Sequence, residues 1–126
     1  MARILIIDDE GAIVGLFSAA LNRDDHTVFG APSYEAARLV IEREPIDLVI
    51  TDLHMPGIDG YDVIRSFRRD FPQTLLMAMT GSGGGPELEK ALGLGADAVL
   101  PKPFRLKDIL TTVARCLSAG RCAARE

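Results

Sequence analysis

The sequence predicts an α/β fold in which a five-stranded parallel sheet is covered by helices on both faces. Short apolar runs alternate with amphipathic stretches along the chain, which is typical of repeated strand–helix units. Acidic, hydroxyl and lysine side chains follow the ends of several runs, where α/β sheets bind their ligands. With 126 residues, 48% of them hydrophobic, the chain has the size and composition of one globular domain.

Five apolar runs are the predicted strands: Ile4–Ile7, Thr27–Phe29, Leu48–Ile50, Leu75–Met79 and Ala98–Leu100. The first, third and fourth runs are continuously hydrophobic, which indicates central strands that are covered on both faces. The second run has no comparable polar residues behind it, and we expect it at the rim of the sheet. Because the strands alternate with helices over short connections, they are expected to run parallel.

Five helices are predicted between and after these strands. In the first, third and fifth, apolar residues recur at helical spacing: Ile13, Leu16, Phe17, Ala20 and Leu21; Ile64, Phe67 and Phe71; Leu106, Ile109, Leu110, Val113 and Leu117. Ser33 is the predicted N-cap of a second helix over Tyr34–Arg43, which Pro45 ends. The fourth helix, around Glu87–Leu92, is short and flanked by glycines. Residues 1–119 are predicted to form the domain, and residues 120–126 a frayed C-terminal tail.

Composition excludes several classes of function. The net charge is −4, Trp is absent, and no basic patch carries interleaved aromatic residues, which argues against direct binding to nucleic acid or to an anionic membrane. No apolar run approaches the roughly 18 residues that cross a bilayer. Cys116 and Cys122 have no partners at zinc-site spacing, so we expect reduced, incidental thiols and a cytoplasmic setting.

Asp52 at the tip of the third strand is the first candidate for chemistry. Asp is a common turn residue, so this segment alone is explained at least as well by a turn. The other strand ends change that interpretation: Asp8 and Asp9 follow the first strand, Thr80 ends the fourth, and Lys102 follows the fifth. Because parallel strands end at one edge of the sheet, these side chains are expected to meet in one crevice.

A cluster of carboxylates repels itself and requires protons or a cation at neutral pH. Without a His or Cys set for zinc, hard oxygen ligands favour Mg²⁺. Lys102 and Thr80 add a positive charge and a hydroxyl donor, which suits a phosphoryl group. Since a carboxylate can accept such a group as an acyl phosphate, Asp52 is the expected nucleophile.

The sequence resembles the receiver domain of bacterial two-component response regulators, of the single-domain, chemotaxis-regulator type. The resemblance is carried by ILIIDDE at 4–10, VITDLHMPGIDGYDVI at 49–64, MTGSG at 79–83 and GADAVLPKPF at 95–104. These segments agree in order and spacing over about residues 2–118. The resemblance implies the flavodoxin-like strand order 2-1-3-4-5. It also implies that Lys102–Pro103 is a cis peptide bond.

The resemblance also implies roles for the site residues. Asp52 would be the phosphoacceptor, supplied by a sensor histidine kinase or a histidine phosphotransfer protein. Asp8, Asp9, Asp52 and the main-chain carbonyl of His54 would hold Mg²⁺, with Mn²⁺ as an alternative. The phosphoryl oxygens would be contacted by Thr80 and Lys102.

Two positions depart from the family pattern. Val99 stands where the family usually has Tyr or Phe, a ring that turns inward when the phosphoryl group draws in the threonine. The usual coupling of Thr80 to the surface of the fifth strand is therefore in question. His54 stands where the family often has Met, and two interpretations stay open: a side chain that tunes hydrolysis of the acyl phosphate, or a solvated loop histidine.

The function expected from sequence is a regulatory phosphoacceptor rather than an enzyme, with self-catalysed phosphotransfer and autodephosphorylation only. Phosphorylation would switch the face formed by strand 4, helix 4, strand 5 and helix 5 and so control an unidentified protein partner, with no output domain in this chain. The alternative is a receiver fold that docks on a partner independently of phosphate, which Val99 favours. A phosphatase would need a second Asp at position 54, and a flavin carrier would need a glycine- and hydroxyl-rich loop at 8–10.

Overall fold

The structure is a computed structural model that describes residues 2–55, 57–81 and 85–125, with the backbone alone for 120–125. Its strands are β1 (Arg3–Ile7), β2 (Thr27–Ala31), β3 (Leu48–Asp52), β4 (His54–Met55), β5 (Ile58–Asp59), β6 (Leu75–Thr80) and β7 (Ala98–Pro101). Its helices are α1 (Gly11–Asn22), α2 (Tyr34–Arg43), α3 (Gly60–Asp70), α4 (Gly85–Gly93) and α5 (Leu106–Arg125).

The main sheet has five strands in the order β2-β1-β3-β6-β7, and all of its pairs are parallel. This is the predicted order 2-1-3-4-5 when only the strands of the main sheet are counted. The three continuously apolar runs are its central strands β1, β3 and β6, as predicted. In β3 and β6 every residue is buried. The second run is the edge strand β2, which is also as predicted.

The sheet separates two apolar cores. Because side chains alternate across a strand, Ile4 and Ile6 point to one face and Leu5 and Ile7 to the other. The first face packs against α1 and α5. The second packs against α2, α3 and α4. The helices thus lie on both faces of the sheet, as the alternating sequence pattern predicts.

Local sequence signals explain where two of the helices begin. The hydroxyl of Ser33 accepts a hydrogen bond from the Ala36 amide at 3.2 Å, which confirms the predicted N-cap of α2. The carboxylate of Asp59 accepts one from the Tyr61 amide at 2.9 Å and caps α3. Next to this cap, Gly60 lies so close to the residue after β3 that a Cβ would be 2.4 Å from Leu53 Cα. Only glycine fits here, so α3 starts directly against the end of the strand that carries Asp52.

The short strands β4 and β5, which pair in an antiparallel ribbon, have no counterpart in the sequence prediction. Two residues are too few to produce a recognisable alternation of apolar and polar side chains. The ribbon follows β3 at once and leads the chain from Asp52 into α3.

The C-terminal segment is helical where the sequence predicts a tail, and the predicted domain boundary at residue 119 stays a prediction. Residues 120–125, predicted as a frayed tail, continue α5 to Arg125. Apart from Gly120 this segment contains ordinary helix-forming residues, so nothing local requires the helix to stop; Glu126 lies outside the described residues. Over the described residues, none of the helices is long and apolar enough to cross a bilayer.

Candidate functional site

The polar residues that follow the strands meet at the carboxyl edge of the sheet. Asp52 ends β3 and Thr80 ends β6, while Asp8 and Lys102 directly follow β1 and β7. The parallel register places the ends of neighbouring strands side by side, for example Thr80 beside Pro101. The convergence predicted from sequence is therefore present in the fold.

Asp52 is the buried centre of this edge, with 2% of its surface exposed. Its Oδ2 accepts a hydrogen bond from Lys102 Nζ at 3.0 Å, and its Oδ1 accepts one from the His54 amide at 2.9 Å. The two partners of this ion pair differ in exposure, because the Lys102 side chain is 28% exposed and the Asp52 side chain is 2% exposed. The site is therefore partly open to solvent at Lys102.

Asp8 is a buried carboxylate that the protein satisfies only in part. Its Oδ1 accepts a hydrogen bond from the Glu10 amide at 2.9 Å. Within the described ranges its Oδ2 is buried without a hydrogen-bond partner. Burial, with a smaller contribution from the negative charge of Asp52, raises the pKa of Asp8 to about 6, against the opposing effects of the Glu10 amide and Lys102.

A divalent cation fits this group of acids. Asp8, Asp9 and Asp52 each offer a carboxylate oxygen, and these oxygens lie within 4.8 Å of one another. Asp8 and Asp52 are buried, whereas Asp9 is exposed at the rim. An unbonded buried oxygen, mutually repelling charges and an all-oxygen donor set suit Mg²⁺ or Mn²⁺, which keep water and phosphate oxygens as further ligands.

Thr80 offers the site a hydroxyl. The residue is fully buried, and in the part of the chain that the structure describes its Oγ1 has no hydrogen-bond partner. Its main-chain oxygen accepts a hydrogen bond from the Lys102 amide at 3.0 Å. A buried hydroxyl without a partner is costly, so Thr80 is suited to donate to an oxyanion that enters the crevice.

The side chain of His54 turns toward helix α4. Its Nε2 lies 3.0 Å and 3.2 Å from the two carboxylate oxygens of Glu87, while 55% of the side chain is exposed. Glu87 was not predicted as part of the site, because 33 positions separate it from His54 and no spacing pattern links them. The main-chain carbonyl of His54 stays a predicted metal ligand.

Two further predicted positions lie next to the crevice. Val99 is half-buried in β7, beside Ala78 of β6, and packs against the core on the α4 face. Pro103 follows Lys102 through a cis peptide bond, as predicted. Sequence reasoning thus located the strand-end residues, whereas the contacts of His54 required the folded chain.

Comparison with known proteins gives a consistent result. The family model described as the response regulator receiver domain matches residues 4–114. The response regulator protein FleR of Pseudomonas aeruginosa is 34% identical over 114 residues, which are 90% of this chain and 24% of that protein. The transcriptional regulatory protein TcrA of Mycobacterium tuberculosis is 33% identical over 116 residues, 92% of this chain and 46% of that protein. The chain thus spans about a quarter to a half of the length of these curated relatives.

Solved structures agree with these relatives. A response regulator receiver domain protein from Clostridium thermocellum has a TM-score of 0.84 at 31% identity, covering 94% of this chain and 95% of that one. The chemotaxis response regulator CheY4 of Vibrio cholerae has a TM-score of 0.84 at 25% identity, covering 92% of this chain and 98% of that one.

Proposed function

The chain belongs to the response regulator receiver domain family, and on this premise we propose that it is a phosphoacceptor switch that receives its phosphoryl group on Asp52. The observation that carries the proposal is the set of groups around the Asp52 carboxylate. The carboxylate is buried beside two further acids, and it is 3.0 Å from Lys102 Nζ. At the same edge of the sheet lies the Thr80 hydroxyl, which has no hydrogen-bond partner among the described residues. Such a site suits a group that carries several negative oxygens.

In the proposed transfer, a carboxylate oxygen of Asp52 forms a bond to phosphorus as the P–N bond of a phosphohistidine breaks. The leaving imidazole keeps the electron pair and takes up a proton. Asp8, Asp9, Asp52 and the His54 carbonyl would hold Mg²⁺ or Mn²⁺, which when bound neutralises charge on the phosphoryl oxygens. Lys102 would exchange its contact with Asp52 for a phosphoryl oxygen, and Thr80 would donate its hydroxyl hydrogen to another.

The donor would be a sensor histidine kinase or a histidine phosphotransfer protein. The chain would act as a regulator rather than as an enzyme on external substrates, and its own chemistry would be limited to accepting the phosphoryl group and losing it to water. A cytoplasmic location suits such donors.

The proposed output uses the strands and helices that follow Thr80 and Lys102. A phosphoryl group brings about −1.5 to −2 charges and would draw both side chains inward. The hydrogen bond from the Lys102 amide to the Thr80 oxygen would make their main chains move together. The face built from β6, α4, β7 and α5 would then shift an existing equilibrium and change its affinity for a protein partner.

A second candidate function is a docking module that does not depend on phosphate. Val99 favours it, because this half-buried residue of β7 has no ring that could change position in response to Thr80. The buried acids and Lys102 oppose it, since a module that only docks does not need a costly cluster of like charges.

Intact-mass measurement after incubation with Mg²⁺ and acetyl phosphate tests the proposal. Wild-type protein should gain the mass of one phosphoryl group, and the Asp52→Asn variant should gain none while staying folded. Asp62→Asn is the matched control, because it makes the same chemical change at an exposed aspartate of α3 and should label normally.

Two results would contradict the proposal. Labelling of Asp52→Asn at another residue would remove Asp52 from its role. A folded wild type that gains no mass, either from acetyl phosphate or from a phosphorylated histidine phosphotransfer protein, would favour the docking module.

A further inference from the structure

Glu87, on the first turn of α4, contacts the segments that follow β3 and β6. Its carboxylate lies 3.0 Å and 3.2 Å from His54 Nε2, and its Oε1 also accepts a hydrogen bond from the Gly81 amide at 3.2 Å. His54 is two residues beyond Asp52, and Gly81 directly follows Thr80. One side chain of α4 thus contacts both sides of the phosphoacceptor crevice.

These contacts fix where the imidazole of His54 lies. The main-chain amide of His54 donates to Asp52 Oδ1, so the side chain starts beside the phosphoacceptor. Its ring ends against Gly81, where a Cβ would lie 3.2 Å from Nε2 and 3.4 Å from Cδ2. The ring therefore reaches from the segment after β3 to Gly81, which follows β6, while 55% of the side chain is exposed to solvent.

In the contact between His54 and Glu87, the imidazole is the donor and the carboxylate is the acceptor. An ionised carboxylate only accepts hydrogen bonds, so Nε2 of His54 must carry the hydrogen that Glu87 receives. This bond holds whether or not the second ring nitrogen is protonated. It selects one ring position among the staggered side-chain positions that a half-exposed histidine can adopt.

We propose that Glu87 is a positioning residue that holds the His54 ring across the mouth of the crevice and slows the attack of water on phosphorylated Asp52. The inference rests on the proposed function, because it concerns the lifetime of the acyl phosphate. Attack by water forms a new P–O bond and breaks the bond from phosphorus to the Asp52 oxygen, which regenerates the carboxylate. A ring that covers the approach removes positions from which water can attack.

A second contact between the same elements supports a fixed arrangement. Lys90, one turn further along α4, places its Nζ 4.3 Å from the centre of the Tyr61 ring on α3. Burial, together with the charges of Glu87 and Asp59, raises the pKa of the Tyr61 phenol. Both contacts hold α4 next to the ribbon and helix that follow Asp52, so Glu87 does not depend on its own bonds alone to stay near His54.

The test measures how fast the phosphoryl group is lost. Protein is labelled with acetyl phosphate and Mg²⁺, the donor is removed by desalting, and the labelled fraction is followed by intact mass. Glu87→Ala should shorten the half-life about two- to tenfold. This factor corresponds to the free energy of one net hydrogen bond, which is what favours the held position of the ring. Glu87→Gln should stay close to wild type, because its amide oxygen still accepts from His54 and Gly81. Glu89→Ala, at an exposed position of the same helix, is the matched control and should not change the half-life.

A double-variant comparison separates ring positioning from a general disturbance of α4. In a His54→Ala background the ring is absent, so adding Glu87→Ala should cause no further change in half-life. An unchanged half-life in Glu87→Ala alone would overturn the inference, as would an equal acceleration with and without His54. If the wild type takes no label from any donor, the proposed function fails and this inference fails with it; if it labels normally and only the Glu87 comparison fails, the proposed function stands.

Discussion

Two ion pairs with buried carboxylates have similar groups but different roles in this protein. Arg68 of α3 places Nη2 2.6 Å from Asp97 Oδ2, and Lys102 places Nζ 3.0 Å from Asp52 Oδ2. The carboxylate side chains are 3% and 2% exposed. In each pair, a cation from one segment of the chain reaches a buried acid of another.

The neighbours of the two pairs differ. Arg68 also donates to the Gly95 carbonyl, and Asp97 also accepts from the Leu76 amide at 2.9 Å. Beside the Lys102–Asp52 pair lie the buried Asp8 Oδ2 and Thr80 Oγ1, which have no partner among the described residues. A pair held by main-chain groups of neighbouring segments indicates a scaffold, whereas a pair that lies beside buried polar atoms of other residues without described partners indicates a binding site.

The largest expected effect comes from breaking the scaffold pair. Arg68→Ala removes the hydrogen bonds to Gly95 and leaves Asp97 as a buried charge without its cation. Breaking a buried pair in this way costs about 3–5 kcal/mol, and urea unfolding followed by circular dichroism measures it. The control is Arg65→Ala, an exposed residue of the same helix that pairs with Asp62, for which we expect a change within about 0.5 kcal/mol. Equal unfolding midpoints for the two variants would contradict the distinction.

In the Lys102–Asp52 pair, the lysine should affect the rate of phosphoryl transfer rather than the affinity for the metal. Lys102→Ala removes a group proposed to contact phosphoryl oxygens, and loss of one such contact lowers a transfer rate by about a hundredfold. Mg²⁺ affinity should not fall, because removing a positive charge does not weaken the attraction of a cation to Asp8 and Asp52. Labelling rates and Mg²⁺ titration by calorimetry measure the two effects separately. A parallel loss of both would show that Lys102 also supports the metal site.

Neutralising an acid beside the Lys102–Asp52 pair and neutralising the acid of the Arg68–Asp97 pair should have opposite effects. Asp8→Asn removes a buried like charge beside Asp52, so without divalent cations at pH 7 we expect unfolding to cost about 1–3 kcal/mol more, as the raised pKa of Asp8 implies. Asp97→Asn removes the partner of Arg68 and should destabilise the fold. Chemical unfolding in the presence of a chelator measures both, and a destabilised Asp8→Asn would contradict the account of the site.

The pH dependence of the free energy of unfolding should show the same unfavourable charge on Asp8 as a smaller effect. The pKa of Asp8 is about 6 in the folded protein against 3.8 for the unperturbed group, so the folded state keeps this proton to higher pH than the unfolded state does. Its contribution to stability is therefore present below about pH 4 and is lost as the pH rises through 6. The difference in free energy of unfolding between Asp8→Asn and wild type, measured without divalent cations from pH 4 to 7, should grow over this interval. A constant difference would contradict a raised pKa.

The sequence was sufficient for the framework and for the charged residues of the crevice. Continuous apolar runs identified β1, β3 and β6 as central strands, because a strand buried on both faces leaves no polar alternation. The strand ends located Asp52 and Lys102, because parallel strands share one carboxyl edge. The order of the strands came from the resemblance to a family and not from the periodicity of the chain.

Features that depend on packing could not be predicted in this way. The ribbon of β4 and β5 is too short to leave a pattern, and the contact between His54 and Glu87 joins residues that only the folded chain brings together. The raised pKa of Asp8 depends on its burial, which the sequence does not state. The helical continuation to Arg125 shows a similar limit, since a weak stop signal such as Gly120 does not decide where a helix ends.

The division of the apolar interior by the sheet has a consequence for how such a protein can diversify. The described residues of the core beneath α1 and α5 are distinct from those beneath α2, α3 and α4. A substitution that alters packing on one side is therefore absorbed mainly on that side, because the strand backbones lie between the two cores. Over generations, helices on opposite sides of the molecule can acquire changes independently, and recognition of one partner can be altered while the surface that meets another is inherited intact.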